Sequence, residues 1–78
     1  MITAEVAIYP LKTNDAASVI NSSIDVLQQS NANFDVNSMN TRIKGTKAEV
    51  FTSLETMFSE AENKGGEVSM VVTITNAT

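Results

Sequence analysis

The sequence predicts an α+β domain in the order strand–helix–strand–strand–helix–strand, and three observations carry that prediction. Ile2, Ala4, Val6 and Ile8 alternate with Thr3, Glu5, Ala7 and Tyr9, the period-two pattern of a strand with one face in a core. Val68, Met70, Val72 and Ile74 alternate in the same way with Ser69, Val71, Thr73 and Thr75 at the other end of the chain. Between them, Thr46-Lys47-Ala48-Glu49 has the spacing of a capping box, a threonine at the N-cap and a glutamate three residues on.

Taken in order, the first strand ends at Pro10, which has no N–H to give to a sheet ladder. Asn14 or Asp15 can cap a helix over residues 16–30, in which Ala16, Ile20, Ile24 and Leu27 recur on one face and Val19 and Val26 widen it. Its serines and asparagine are weak helix formers, so packing has to hold it, and Asn31 suits a left-handed stop. Phe34, Val36 and Ser38 then share one parity, and Met39, Thr41 and Ile43 another run. Two strands joined by a turn over residues 37–40 account for both.

The capping box opens the second helix, along which Val50, Phe51, Leu54, Met57, Phe58 and Ala61 recur. Lys64-Gly65-Gly66 closes it, with a cation in the last turn and glycine beyond. Residues 76–78 lie past the last strand. Right-handed crossovers place both helices on one face of a four-stranded antiparallel sheet of order 4-1-3-2, the ferredoxin-like βαββαβ arrangement. The expected core sets Ile20, Ile24, Leu27, Val50, Leu54, Met57 and Phe58 against Val6, Ile8, Ile43, Met70 and Val72. The outer face then carries Thr3, Glu5, Ala7, Tyr9, Asp35, Asn37, Asn40, Arg42, Lys44, Ser69, Val71 and Thr73, with a cation required beside Glu5, from Arg42 or Lys44 or from a cationic ligand.

At 78 residues the chain has room for one domain, residues 1–78, with a small core. It contains no cysteine and no histidine. Disulfides, zinc staples, thiol nucleophiles and imidazole bases are therefore excluded, and no metal or cofactor is expected. Oligomerisation remains as an aid to stability. A net charge of −4 does not suit nucleic-acid phosphates, and Arg42, Lys44 and Lys47 read as a solvated strand end. No membrane-length apolar run and no basic leader is present, which gives the expectation of a cytoplasmic protein. The expected role is not enzymatic and no catalytic residue is assigned. An enzyme using Glu5 or Tyr9 as base is the weakest reading.

Ile2-Thr3-Ala4-Glu5-Val6-Ala7-Ile8-Tyr9-Pro10-Leu11, followed at its spacing by Met39-Asn40-Thr41-Arg42-Ile43-Lys44-Gly45, resembles the small YkoF-like thiamine-binding family. The resemblance covers almost the whole chain, and Met39, Thr41 and Gly45 match the family's Met/Ser-x-Thr-x-x-x-Gly segment. Two features depart from it: the loop after the first strand is short, and the first helix is rich in serine and asparagine. The resemblance implies a ferredoxin-like fold without catalysis, a thiamine or related pyrimidine ligand, and self-association as a dimer or tetramer. Thiamine has a cationic thiazolium and a flat aminopyrimidine, which call for an aromatic face, a carboxylate and hydrogen-bonding groups. Tyr9, Glu5 and the polar Ser38, Asn40 and Thr41 are the residues to which those roles fall. The alternative is a structural or regulatory protein-interaction domain with no small ligand.

Overall fold

The computed structural model describes residues 1–29, 32–37 and 40–77. Its elements follow the expected order: β1 (Ile2–Pro10), α1 (Ala16–Asp25), β2 (Asn33–Val36), β3 (Thr41–Gly45), α2 (Lys47–Gly65) and β4 (Val68–Thr75). The four strands form one antiparallel sheet in the order β2-β3-β1-β4, the ferredoxin-like topology. The two helices lie against each other, and both pack on β1.

β1 shows why the sheet has two unlike faces. Ile2, Ala4, Val6 and Ile8 are buried, whereas Thr3, Glu5 and Ala7 are half-buried and Tyr9 is exposed. Ile43, Val50, Leu54, Met57 and Leu27 close over the buried set. Two small polar residues share this interior because the helix backbone satisfies them: Ser23 Oγ donates to the Ile20 carbonyl and Ser53 Oγ to that of Glu49.

Three expectations change. Phe58 is 36% exposed and stands outside the core. The inward stripe of α2 is Val50, Ser53, Leu54, Met57 and Ala61, and Phe58 is one position round the helix from Met57. Ile20, Ile24, Met70 and Val72 are only half-buried, while Val19 is buried beside Leu27. The first helix keeps α geometry only to Asp25 and continues as a 3-10 turn over Val26–Gln29. Asp15, rather than Asn14, caps it, accepting the Ser18 N–H. Asn31, Ser38 and Met39 lie outside the described residues.

The start of α2 agrees with the sequence in detail. Thr46 Oγ1 accepts the Glu49 N–H at 3.2 Å, and Glu49 Oε1 accepts the Thr46 N–H at 2.8 Å. Gly45 is tied to this cap, because a Cβ there would stand 2.9 Å from Glu49 Oε1. Gly66 ends the helix at φ 76°, in the left-handed region that glycine enters freely.

Replacing Thr46 by alanine removes one acceptor from the helix start and is expected to cost about 1 kcal/mol. For a domain of this size the melting temperature then falls by about 4–8 °C. A Thr46→Ala protein that melts with the wild type would show that the box contributes nothing. Leu54→Ala, which empties part of the core under α2, is expected to cost about 2–5 kcal/mol by urea denaturation. A loss below about 1 kcal/mol would place Leu54 at the surface.

Candidate functional site

The strand lengths are unequal, and the inequality builds a cavity. β1 pairs with β4 from Thr3 to Pro10, but with β3 only from Ile2 to Val6, which stands opposite Thr41. The last four residues of β1 therefore run past the start of β3. Backbone direction in this overhang follows from one bond. Leu11 N–H donates to the Glu67 carbonyl at 2.9 Å, so the odd-numbered residues of β1 exchange hydrogen bonds with β4. The even-numbered residues then face β3. Ile8 presents its N–H and C=O to that side, where no described residue pairs with it.

A cavity of about 390 Å³ occupies this place, between the overhang, α1 and the end of the β2–β3 hairpin. Its size falls in the range of small-molecule sites, about 300–1,000 Å³. The apolar part of its wall comes from Val6, Ile8, Ile20, Ile24 and Met57. Asn37, Asn40 and Thr41 add polar groups at the hairpin end; Tyr9 also borders it, although its parity sets its side chain on the outer face with Glu5, and no charged residue among the described ones lines it. Thr41 is 5% exposed. Its hydroxyl makes no hydrogen bond among the described residues. Asn40 is partly committed to the turn: its N–H donates to Asn37 Oδ1 at 2.9 Å, and its Oδ1 accepts from Asn37 Nδ2 at 3.3 Å.

Three of the five sequence-selected residues, Tyr9, Asn40 and Thr41, therefore meet at one cavity. Ser38 lies outside the described residues. Glu5 stands apart, on the other face of the sheet. There Arg42, directly opposite it in register, approaches Glu5 Oε1 to 2.8 Å through Nη2. Asp35 is opposite Arg42 on the other side, so the outer face carries its own charge balance. Both members of the Glu5–Arg42 pair are substantially exposed, and such pairs contribute little to stability.

Sequence reasoning missed the α1 side of the cavity, Ile20, Ser23 and Ile24, and the Ile8 backbone, which no described residue pairs. A signal was available in the chain. A first strand running to Pro10, facing a third strand that starts only after the Asn37–Asn40 turn, leaves an overhang that can be counted.

A second cavity, of about 450 Å³, lies between the 3-10 turn and the start of α2. It is the larger of the two, and three of its polar side chains serve the helix: Glu49 closes the capping box, Ser53 bonds back to the Glu49 carbonyl and Thr56 to that of Thr52. The cavity under α1 is the better candidate because it joins an apolar wall to the Thr41 hydroxyl and to the Ile8 backbone, which no described residue pairs. Among the described residues no three His, Cys, Asp or Glu side chains cluster as metal ligands. No helix among them is long and apolar enough to cross a membrane.

No curated protein sequence matches the chain. Among solved structures, a Streptococcus pneumoniae protein superposes with a TM-score of 0.91 at 22% identity, over 99% of this chain and 87% of that one. A domain of unknown function from Bacillus cereus gives 0.87 at 24% identity, over 97% and 75%. A Thermotoga maritima protein, named as a candidate thiamine biosynthesis/salvage protein, gives 0.84 at 16% identity, over 97% and 83%. At these identities the likenesses establish the fold. The model of one family, described as the YKOF-related family, matches residues 1–77, and the chain belongs to that family.

Proposed function

We propose that the chain is a non-enzymatic binding protein for thiamine or a related pyrimidine and that it acts as a homo-oligomer. The observation that carries this reading is the uncharged cavity of about 390 Å³ at the open end of β1. An aminopyrimidine is flat, uncharged and rich in donors and acceptors. Ile20, Ile24 and Met57 offer it apolar contact, and the Thr41 hydroxyl and the Ile8 backbone offer it hydrogen bonds.

The thiazolium cannot be neutralised inside, because no carboxylate lines the cavity. It belongs at the mouth, toward solvent, where Tyr9, 54% exposed, is the aromatic residue at the cavity border. The net charge of −4 favours the approach of a cation from solution. Glu5 has no part in this arrangement. The name of the Thermotoga maritima protein is consistent with the ligand class. The absence of histidine and cysteine from the sequence supports binding without turnover.

Isothermal calorimetry tests the reading. Thiamine is expected to bind with one site per chain and to be recovered unchanged. Thr41→Val, which keeps the shape and removes the hydroxyl, should weaken binding about tenfold, as should Tyr9→Ala. Glu5→Gln should leave the affinity within about twofold, because its side chain is on the far face. If Glu5→Gln abolishes binding and Thr41→Val does not, the site is on the outer face. If the wild type gives no heat with millimolar thiamine, the protein-interaction reading replaces this one.

A further inference from the structure

The sequence holds five cationic side chains, Lys12, Arg42, Lys44, Lys47 and Lys64, and none of them lines the candidate cavity. Arg42 is held by Glu5 on the outer face. Lys44 stands opposite Thr3, and Lys47 borders a groove with Ile2, both toward the far end of β1. Lys64 shares a surface depression with Asp25 and Glu60. Lys12 follows Pro10 at the near end, but its Nζ is 2.5 Å from Glu67 Oε2. The residues outside the described set are serine, asparagine, methionine and threonine, and they bring no charge.

One other feature is able to hold an anion. α1 is ten residues long and starts at the cavity: Ala16, its first residue, lines the same wall as Tyr9 and Pro10. Free N–H groups at a helix start ordinarily attract phosphate. Here Asp15 fills that place with its own carboxylate, Oδ1 accepting the Ser18 N–H at 3.1 Å. The Asp15 N–H in turn donates to Thr13 Oγ1 at 3.1 Å, which fixes the residue at the end of the loop. Asp15 is exposed, and no described cation pairs with it. With Lys12 balanced by Glu67, Asp15 is the uncompensated charge of the segment between β1 and α1.

Thr41 sets the opposite end of the site. It is 5% exposed, and its hydroxyl makes no hydrogen bond among the described residues. An aminopyrimidine turned to Thr41 and to the Ile8 backbone leaves the thiazolium at the mouth. With it goes the hydroxyethyl arm, the part that carries phosphate in the phosphorylated forms. A phosphate there would give up water for a site with an apolar wall and no cation, and with a carboxylate already on the helix start. Asp15 attracts the thiazolium alone and repels a ligand bearing phosphate.

From this we infer that the cavity selects the unphosphorylated cation and excludes its phosphate esters, with Asp15 as the residue that sets the choice. The inference rests on the proposed function and narrows its ligand class.

Isothermal calorimetry with thiamine, thiamine monophosphate and thiamine diphosphate tests it. The wild type is expected to bind thiamine at least about tenfold more tightly than either ester. Asp15→Asn removes the charge and keeps the helix cap, because asparagine caps as well as aspartate does. It should narrow that ratio at least about threefold, with an unchanged circular dichroism spectrum. High salt should narrow the wild-type ratio in the same sense, since the charge is exposed. Esters that bind the wild type as tightly as thiamine, or a ratio that Asp15→Asn leaves unchanged, overturn the inference while the thiamine site stands. No heat from thiamine itself overturns the proposed function, and this inference with it.

Discussion

Ile2, Ala4, Val6 and Ile8 form the floor on which both helices rest, and the rest of the molecule depends on their alternation. β1 is a central strand, paired on one side with β3 and on the other with β4, and it touches α1 and α2 as well. A one-residue slip in its register would turn those four side chains to solvent and bring Thr3, Glu5 and Ala7 under the helices. The cost of burying Glu5 without Arg42 beside it makes that slip prohibitive. The Glu5–Arg42 pair adds little energy as an ion pair, yet its place on the outer face marks which way the strand must lie.

The same strand also sets where the structure is incomplete. It is nine residues long, and β3 is five. Had β3 matched it, the space beneath the first turns of α1 would hold sheet. Instead the four-residue overhang leaves a cavity with backbone groups at its edge. On the opposite side β4 accompanies β1 almost to its end and then presents an uncharged edge of its own. The cavity lies against β1, so a ligand there would stiffen that strand. It would add stability by mass action to a small core that has no covalent staple.

Much of the fold was legible because period-two and capping-box patterns are local. Thr46 and Glu49 are three residues apart, and their reciprocal bonds need no tertiary information. Side-chain parity correctly sent Glu5 to the outer face, and the register then chose Arg42 over Lys44 as its partner. Phe58 was misplaced because helical spacing defines a broad stripe, while the width that is buried depends on what lies beneath. α2 lies over β1 and its two neighbours, and the side of the stripe holding Phe51 and Phe58 stays at the surface. The change from α to 3-10 geometry at Val26 has no glycine or proline to announce it. At the candidate site, polar residues near the hairpin turn were readable, but the cavity wall joins residues from α1 and β1 that only the crossover brings together.

The central claim is that no described residue pairs with β1 on its β3 side beyond Val6, and that the cavity there is the ligand site. Residue-resolved amide hydrogen exchange measures this directly. The Ala4 and Val6 amides face β3 within the paired segment, whereas the Ile8 amide faces the cavity. In the free protein Ile8 is expected to exchange at least about 100-fold faster than Val6, and saturating thiamine should slow it toward the Val6 rate. An Ile8 amide as protected as that of Val6 without ligand would mean that the strand is paired along its length and the cavity is closed, which contradicts the account.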